Sequence, residues 1–525
     1  MSNKKKDLWS NPVLSSKVRT ADVKMPEMLM GYFIGPFGAL LASGIFTSIL
    51  QNYFTDVLKL NLAFLTTLQL VSTIFIVAAN LVVGQLIERT KTLAGKARPW
   101  ILLSALTLSV SSVLMFIMPF EGIAKMIWVA IAYNLFYAVA YPIYNTANST
   151  LIPLSTRGSK QRGVLASFTN VAGLGVMGTG SMIFPILVSF ALKENQHLWF
   201  LAMLAVAVFS ALTIYLQFMF TRERVTEEGV EAEEGAGRKE RKESEEAIGC
   251  QEKIRPEESM DRKDKGVREK MAAPSLGRQL KAVTGEKAWW IVMLFYVGFQ
   301  WSGAIKNGSM SYFCKWVLDN SFFGTADAWG ASQSLLSIMG AVPMALAAVA
   351  VAPLCNRFSK RLVCMAGMLI GAAGGVIAIL GDGQIIPVAV GVALKCLGSA
   401  PACYMILALL ADVIDHIEYK SHIRTDGLTM SIYSSIMVAG TPVCNALFSA
   451  ILNASGYNQA ADVALGTAGQ TAMAQTAISV SYIWIETIAY VICAVLIFFF
   501  TIEKDLPREQ EEMAAGRTGK DNSKR

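Results

Sequence analysis

The chain has 525 residues, of which 54% are hydrophobic and only 16% charged, with a positive mean hydropathy. Ordinary soluble proteins of this length do not carry so apolar a composition. The net charge of +7 is not a nucleic-acid footprint, because residues 222–287 hold 33 of the 85 charges in near balance, 16 basic and 17 acidic, and basic inner loops of a membrane protein give a mild positive excess of this kind.

The opening stretch, MSNKKKDLWSNP, lacks the apolar core of a secretory leader, so residues 1–26 are expected to form a cytoplasmic tail and the first apolar span an uncleaved anchor. A bilayer core of ~30 Å takes about 20 apolar residues as helix. Such runs occur near 27–52, 62–88, 99–119, 126–151, 164–190, 198–220, 288–314, 328–354, 362–381, 385–411, 427–453 and 477–501. Six precede the charged stretch and six follow it. The expected organisation is an N-terminal six-helix bundle over 27–220, a charged cytoplasmic linker over 221–287, a C-terminal six-helix bundle over 288–501 and a cytoplasmic tail over 502–525. The fold class is all-α and polytopic, with 12 transmembrane helices in two six-helix bundles, the layout of a transporter built from two repeats.

Orientation follows from Lys and Arg in the short loops. With a cytoplasmic N-terminus, the inner loops hold twelve such residues, while the outer connections hold Lys59, Lys125, Lys193 and Lys315 alone. Both termini are therefore expected in the cytoplasm, in the plasma (inner) membrane. The linker, rich in Glu, Lys and Arg and nearly free of aromatics, cannot bury enough apolar surface to offset the entropy of ordering and reads as a tether. The halves echo each other weakly, Gly84–Arg89 after the second span matching Pro353–Arg357 after the eighth.

The stretch GLGVMGTG at 173–180 spells a dinucleotide fingerprint, but that fingerprint needs a strand before it and a helix after it. Inside an apolar run the small residues serve helix packing. Eight cysteines, none before Cys250 and none in a Cys-x-x-Cys pair, supply neither a disulfide framework nor a zinc site. The three histidines, His197, His416 and His422, stand at span ends or in loops, and no paired carboxylates offer acid–base chemistry. No enzyme, no metal site and no resident cofactor is expected.

Two segments carry the strongest signal. Gly84–Thr92 continues to Gly95-Lys96-Ala97-Arg98-Pro99-Trp100, and Ala411–Lys420 continues through Arg424 to Gly427. Both are dense in opposite charges at cytoplasmic helix ends. They serve either as a positive-inside anchor or as a cytoplasmic gate in which Glu88, Arg89, Arg98, Asp412, Asp415 and Arg424 pair across the two bundles and part when the inner side opens.

These segments resemble those of the glycoside–pentoside–hexuronide:cation symporters, the melibiose-permease group of the major facilitator superfamily. That group reads roughly G-x-x-x-D-R-T-x-T-x-x-G-R-x-R-P-W in the second inner loop and A-D-V-x-D-Y-x-E-x-K-x-G-x-R-x-E-G between its tenth and eleventh helices. Glu88, His422 and Asp426 depart from the pattern. Further similarity lies in Tyr53-Phe54-Thr55-Asp56-Val57, in Pro142–Pro153 and in Ser311-Tyr312-Phe313 with Lys315, so the likeness runs from about residue 25 to 505. The resemblance implies a major facilitator fold and cation-coupled transport, with Asn145, Ser149 and Tyr312 in the substrate site. The positions where it would place carboxylates for Na⁺ or H⁺ hold Ile76, Asn80 and Asn145, which leaves Asn80 and Asn145 as a weak oxygen site for the coupling ion. Its sugar-binding Lys-Asp pair falls on Ala39 and Leu40, and its fifth-helix Arg near Ala166.

Lys395 lies about ten residues from either end of its span, too deep to snorkel easily, and intramembrane ionisable groups are functional by default. Glu486 sits at a matching depth of roughly 14 Å. A structural ion pair between Lys395 and Glu486 and a substrate-binding role for Lys395 are both open. The expected function is a secondary active transporter of a glycoside, hexuronide or similar small organic solute, working by alternating access, most simply as a cation symporter and a monomer among membrane lipids. Two alternatives stand beside it: a uniporter or H⁺-coupled carrier of an amphipathic organic anion, and a membrane sensor that signals through the linker.

Overall fold

The computed structural model describes residues 16–224 and 276–512 apart from short breaks at 21, 91, 93, 157–158, 325–327, 422–424, 507 and 510. Most of the charged linker, residue Arg424 and the outer parts of both tails lie outside the described residues. The twelve apolar runs are twelve helices. In the N-terminal half they are α1 (25–57), α2 (Leu62–Arg89), α3 (Arg98–Leu114), α4 (122–155), α5 (159–192) and α6 (Gln196–Met219). The C-terminal half holds α7 (Lys287–Trp316), α8 (Trp329–Arg357), α9 (Lys360–Leu380), α10 (Ile385–Ser421), α11 (Asp426–Ala454) and α12 (472–498). Helix α3 is too short to count as a full span by length and composition alone.

Several helices start where the sequence supplies a cap or a proline. Asn61 accepts the N–H of Ala63 at 2.8 Å to start α2, Asn195 does the same for α6, and Ser359 and Thr471 start α9 and α12. Pro99 stands in the first turn of α3, where its missing N–H costs nothing. Helix α10 runs ten residues past its expected end, so the charged segment 411–420 is helical; Asp412, His416 and Ile417 give it a buried face that holds it against its neighbours.

Helices α1, α4, α5 and α12 contain single π turns, at 30–34, 46–50 and 53–57, at 135–140, at 179–183 and 188–192, and at 480–484. Such turns release carbonyls from the regular ladder. The packing of α1 on α5 explains two of the glycines of 173–180, Gly175 facing Phe37 and Gly180 facing Gly44. A Cβ on Gly180 would lie 2.4 Å from the backbone of Gly44, so the two helices cross with backbone against backbone.

The two outer ends of the described chain, at Ser16 beside Thr221 and at Glu512 beside Tyr419, lie at one end of the bundle, called here the terminal end; the opposite end is distal. Among the described residues, every side-chain hydrogen bond between the two halves lies in the distal part. Ser311 donates to the carbonyl of Ser48 at 3.0 Å, Gln333 to the Ser48 hydroxyl at 2.9 Å, Ser337 to the carbonyl of Ser181 at 3.0 Å, and Gln459 to the carbonyl of Leu60 at 2.8 Å. A distal aromatic cluster supports them, with Tyr53 at 4.5 Å from Phe116 and 5.0 Å from Trp199 between ring centroids.

Toward the terminal end the side-chain bonds between described residues join partners of the same half. Arg224 pairs with Glu27 at 2.8 Å, and the Glu223 carboxylate accepts the backbone N–H groups of Lys96, Ala97 and Arg98. That carboxylate caps the start of α3, where the positive helix terminus favours it. In the C-terminal half, Lys360 holds Asp412 at 2.7 Å, and His416 meets Glu509 at 2.8 Å.

Candidate functional site

Two polar constellations occupy the interior. The first joins the distal ends of α1 and α7. Lys315 donates to Asp56 Oδ2 and to Asn52 Oδ1, both at 2.7 Å, and its ammonium lies 4.6 Å over the Trp329 ring. The other Asp56 oxygen accepts from Thr55 at 2.8 Å and from Tyr457 at 3.1 Å, while Trp316 donates to the Tyr457 hydroxyl at 2.9 Å. Thr55 and Tyr312 share a bond of 2.5 Å. The side chains of Lys315 and Asp56 are 5% and 12% exposed, so this is a nearly dry ion pair between the two halves. Beneath it Gln69 donates to Gln51 at 2.7 Å, and Gln51 to Ser449 at 2.6 Å.

The second constellation joins α7, α10 and α12. Lys395 Nζ lies 2.6 Å from Glu486 Oε2, Lys306 Nζ lies 3.2 Å from Glu486 Oε1, and the Tyr490 hydroxyl donates to the same Oε1 at 3.0 Å. Lys395 also donates to the carbonyl of Ile483 at 3.3 Å. Ile483 belongs to the π turn just before Glu486, and its carbonyl accepts from Thr487 as well.

The other expected site residues are dispersed. Tyr312 is fully buried within the distal constellation. Asn145 is half-buried, and Ser149 is exposed with its hydroxyl donating to the carbonyl of Thr146 at 3.0 Å. Asn80 turns its amide nitrogen to the carbonyl of Ile76 at 2.8 Å, leaving its carbonyl oxygen for other partners. Among the expected gate residues, the side chain of Glu88 and all of Arg424 lie outside the described residues. Arg89 is exposed and Asp415 half-buried. Arg98 is buried, donating to the carbonyls of Ala94 at 3.1 Å and Phe218 at 2.9 Å and stacking 4.6 Å from the Phe218 ring. Asp412 engages Lys360 of its own half.

Lys306 and the Asp56–Lys315 pair were missed from the sequence. Lys306 had a readable signal, a cation inside the apolar run 288–314, the same feature that marks Lys395. Lys315 read as an outer anchor, yet opposite charges at the same ends of the first and seventh helices, one opening each repeat, were also visible. The arrangement can hold two bundles together at one end and bind a charged or polar solute; among the described residues no group of three or more His, Cys, Asp or Glu side chains could hold a metal ion.

The family described as MFS/sugar transport protein matches this chain over residues 31–250 and 253–504. The isoprimeverose transporter of Lactiplantibacillus pentosus is 24% identical over 486 residues, covering 91% of this chain and 89% of that protein. A putative glycoside/cation symporter of Escherichia coli K12 is 23% identical over 423 residues, covering 79% of this chain and 80% of its own. In three dimensions the chain is similar to a bacterial homolog of the human lysosomal transporter Spinster, solved in an inward-facing and unoccupied conformation, with a TM-score of 0.59, 13% identity, and coverage of 93% of this chain and 99% of that one.

Proposed function

Because the chain belongs to the MFS/sugar transport protein family and is a multi-pass secondary transporter, we propose that it moves a glycoside or hexuronide across the plasma membrane by alternating access, as a cation-coupled symporter. The observation that carries the reading is the Asp56–Lys315 pair, which ties the halves together at the distal end, while nearer the termini the side-chain bonds between described residues lie within one half. With the excess of Lys and Arg in the terminal-end loops placing those loops in the cytoplasm, this is the conformation closed to the outside. The return to an outward-open state requires the distal bonds to break. The segments around Arg89 and Asp412 would then approach one another, and Glu88, Arg89, Arg98, Asp412, Asp415 and Arg424 would act as the inner gate.

The names of the relatives support a sugar-type solute and a coupling cation. Asn80 and Asn145 offer neutral oxygens, so the coupling ion is bound weakly if it is Na⁺. The carrier works as a monomer, with both termini cytoplasmic. The test is uptake and counterflow in proteoliposomes with neutral glycosides and hexuronides, under imposed Na⁺ and pH gradients. Saturable counterflow of at least one sugar is the expected result, and inertness towards the whole panel by folded protein refutes the reading.

A further inference from the structure

Lys306, Lys395 and Glu486 sit at one depth. Lys306 is ten residues from the distal end of α7 at Trp316 and Lys395 ten from that of α10 at Ile385, about 15 Å in each case. Two ammonium groups share one carboxylate there, Lys306 at 3.2 Å and Lys395 at 2.6 Å, and among the described residues no second carboxylate is bonded to either lysine. With both lysines protonated the cluster carries a net charge of +1 inside the membrane, where a charge persists only when it is paired or wetted.

The three members are not equally enclosed. The side chains of Lys395 and Glu486 are 3% and 2% exposed, whereas that of Lys306 is 18% exposed. Lys306 also lies about 140° around α7 from Trp290 and Leu294, the strongly exposed apolar residues of that helix, at about 100° per residue. Its exposed edge is thus turned away from the apolar stripe and into the protein. An ammonium has three donors, and among the described residues the Lys306 ammonium has one side-chain partner, so two N–H bonds are left for a ligand. A purely structural pair would need only Lys395 and Glu486; the second lysine, when protonated, adds a charge that no described side chain balances.

We propose that Lys306 is the seat of an anion subsite that takes one carboxylate or sulfonate of a small organic solute, with the Lys395–Glu486 pair as a neutral backing. A singly charged ligand brings the four charges to zero, whereas a neutral sugar leaves the excess in place. The inference rests on the transport reading in one respect, that solute enters from the open end between the halves. At this depth the anion comes from a solute and not from a lipid headgroup, which stays at the interface.

The experiment uses the purified full chain in nanodiscs of phosphatidylcholine alone, which removes anionic lipid. Binding is measured calorimetrically for methyl glucuronide, for its neutral partner methyl glucoside and for isethionate. The wild type is expected to bind at least one of the two anions tenfold or more tightly than the glucoside. Lys306→Met should abolish that preference and Lys306→Arg should keep it. Lys306→Met leaves the balanced Lys395–Glu486 pair behind, so a folded variant is expected; its melting temperature checks this. Glu486→Gln, with a cluster charge of +2, should shift preference to a doubly charged hexose phosphate. Failure of both anions to bind the wild type, or a Lys306→Met variant with the same charge preference, overturns the proposal. Hexuronide uptake that is indifferent to Lys306 would refute this subsite and leave the transport reading intact; anion binding through Lys306 without any uptake would do the reverse.

Discussion

Replacing Lys315 by Met should open the distal end. Lys315 makes two short charge-assisted hydrogen bonds, to Asp56 and Asn52, each worth about 1.5–3 kcal/mol. Removing one partner of a buried pair costs about 3–5 kcal/mol, because the other charge is left behind. Asp56 is 12% exposed and keeps Thr55 and Tyr457 as donors, which places the cost at the lower end, about 3 kcal/mol. The two residues belong to different halves, so the cost falls on the conformation in which they meet and not on one in which they have parted. At 1.4 kcal/mol per factor of ten, the equilibrium shifts roughly 100-fold towards the outward-open state. Spin labels at Phe120 and Phe322, exposed residues near the distal ends of the two halves, report the separation in a background lacking the eight native cysteines. The wild type should give one short distance and Lys315→Met a longer population, with Asp56→Asn/Lys315→Met between them because no charge is then stranded. An unchanged distance distribution in a Lys315→Met protein of normal melting temperature refutes the latch.

Uptake should respond little to millimolar Na⁺, since Ile76, Asn80 and Asn145 provide no carboxylate; steep Na⁺ dependence in vesicles would count against that account of coupling. Glu27→Gln removes the carboxylate paired with the buried Arg224, which keeps the carbonyls of Thr20 and Ser155, and should cost about 3 kcal/mol, read as a lowered melting temperature, whereas Lys24→Gln on the exposed side of the same turn should be nearly silent. Gly180→Ala forces a Cβ against the Gly44 backbone and should destabilise by about 1–3 kcal/mol or more, measurable as a drop in melting temperature; a neutral result would mean that α1 and α5 can separate freely.

The spans were legible because a bilayer forces long apolar runs into helix whatever surrounds them. Their ends were less so. Nothing in the composition of 411–420 says that its charges continue α10, because the reason is tertiary, a face formed by Asp412, His416 and Ile417 and closed by Lys360 and Glu509. The depth argument concerned Lys395 and Glu486, two residues whose spans could be counted from one end and whose charged groups lie 2.6 Å apart. The same counting applies to Lys306, which went unnoticed beside the more isolated Lys395. For the distal pair the two opposite charges at matching helix ends were visible but their contact was not: Asp56 and Lys315 are 259 residues apart, and only the meeting of the two bundles turns two helix-end charges into one buried contact.

The fastening of Glu223 and Arg224 to the N-terminal half bears on the covalent continuity of the chain. Glu223 is tied to the start of α3, and Arg224 to Glu27 and the carbonyl of Ser155. On the far side of the charged segment, Val283 is fully buried and Glu286 accepts from Lys420, so the C-terminal half secures its own entry. A nick in the peptide backbone between 225 and 275 would sever none of these bonds. Each half would keep both of its ends stitched in place, and the two would remain joined through the distal contacts that the folded protein already makes.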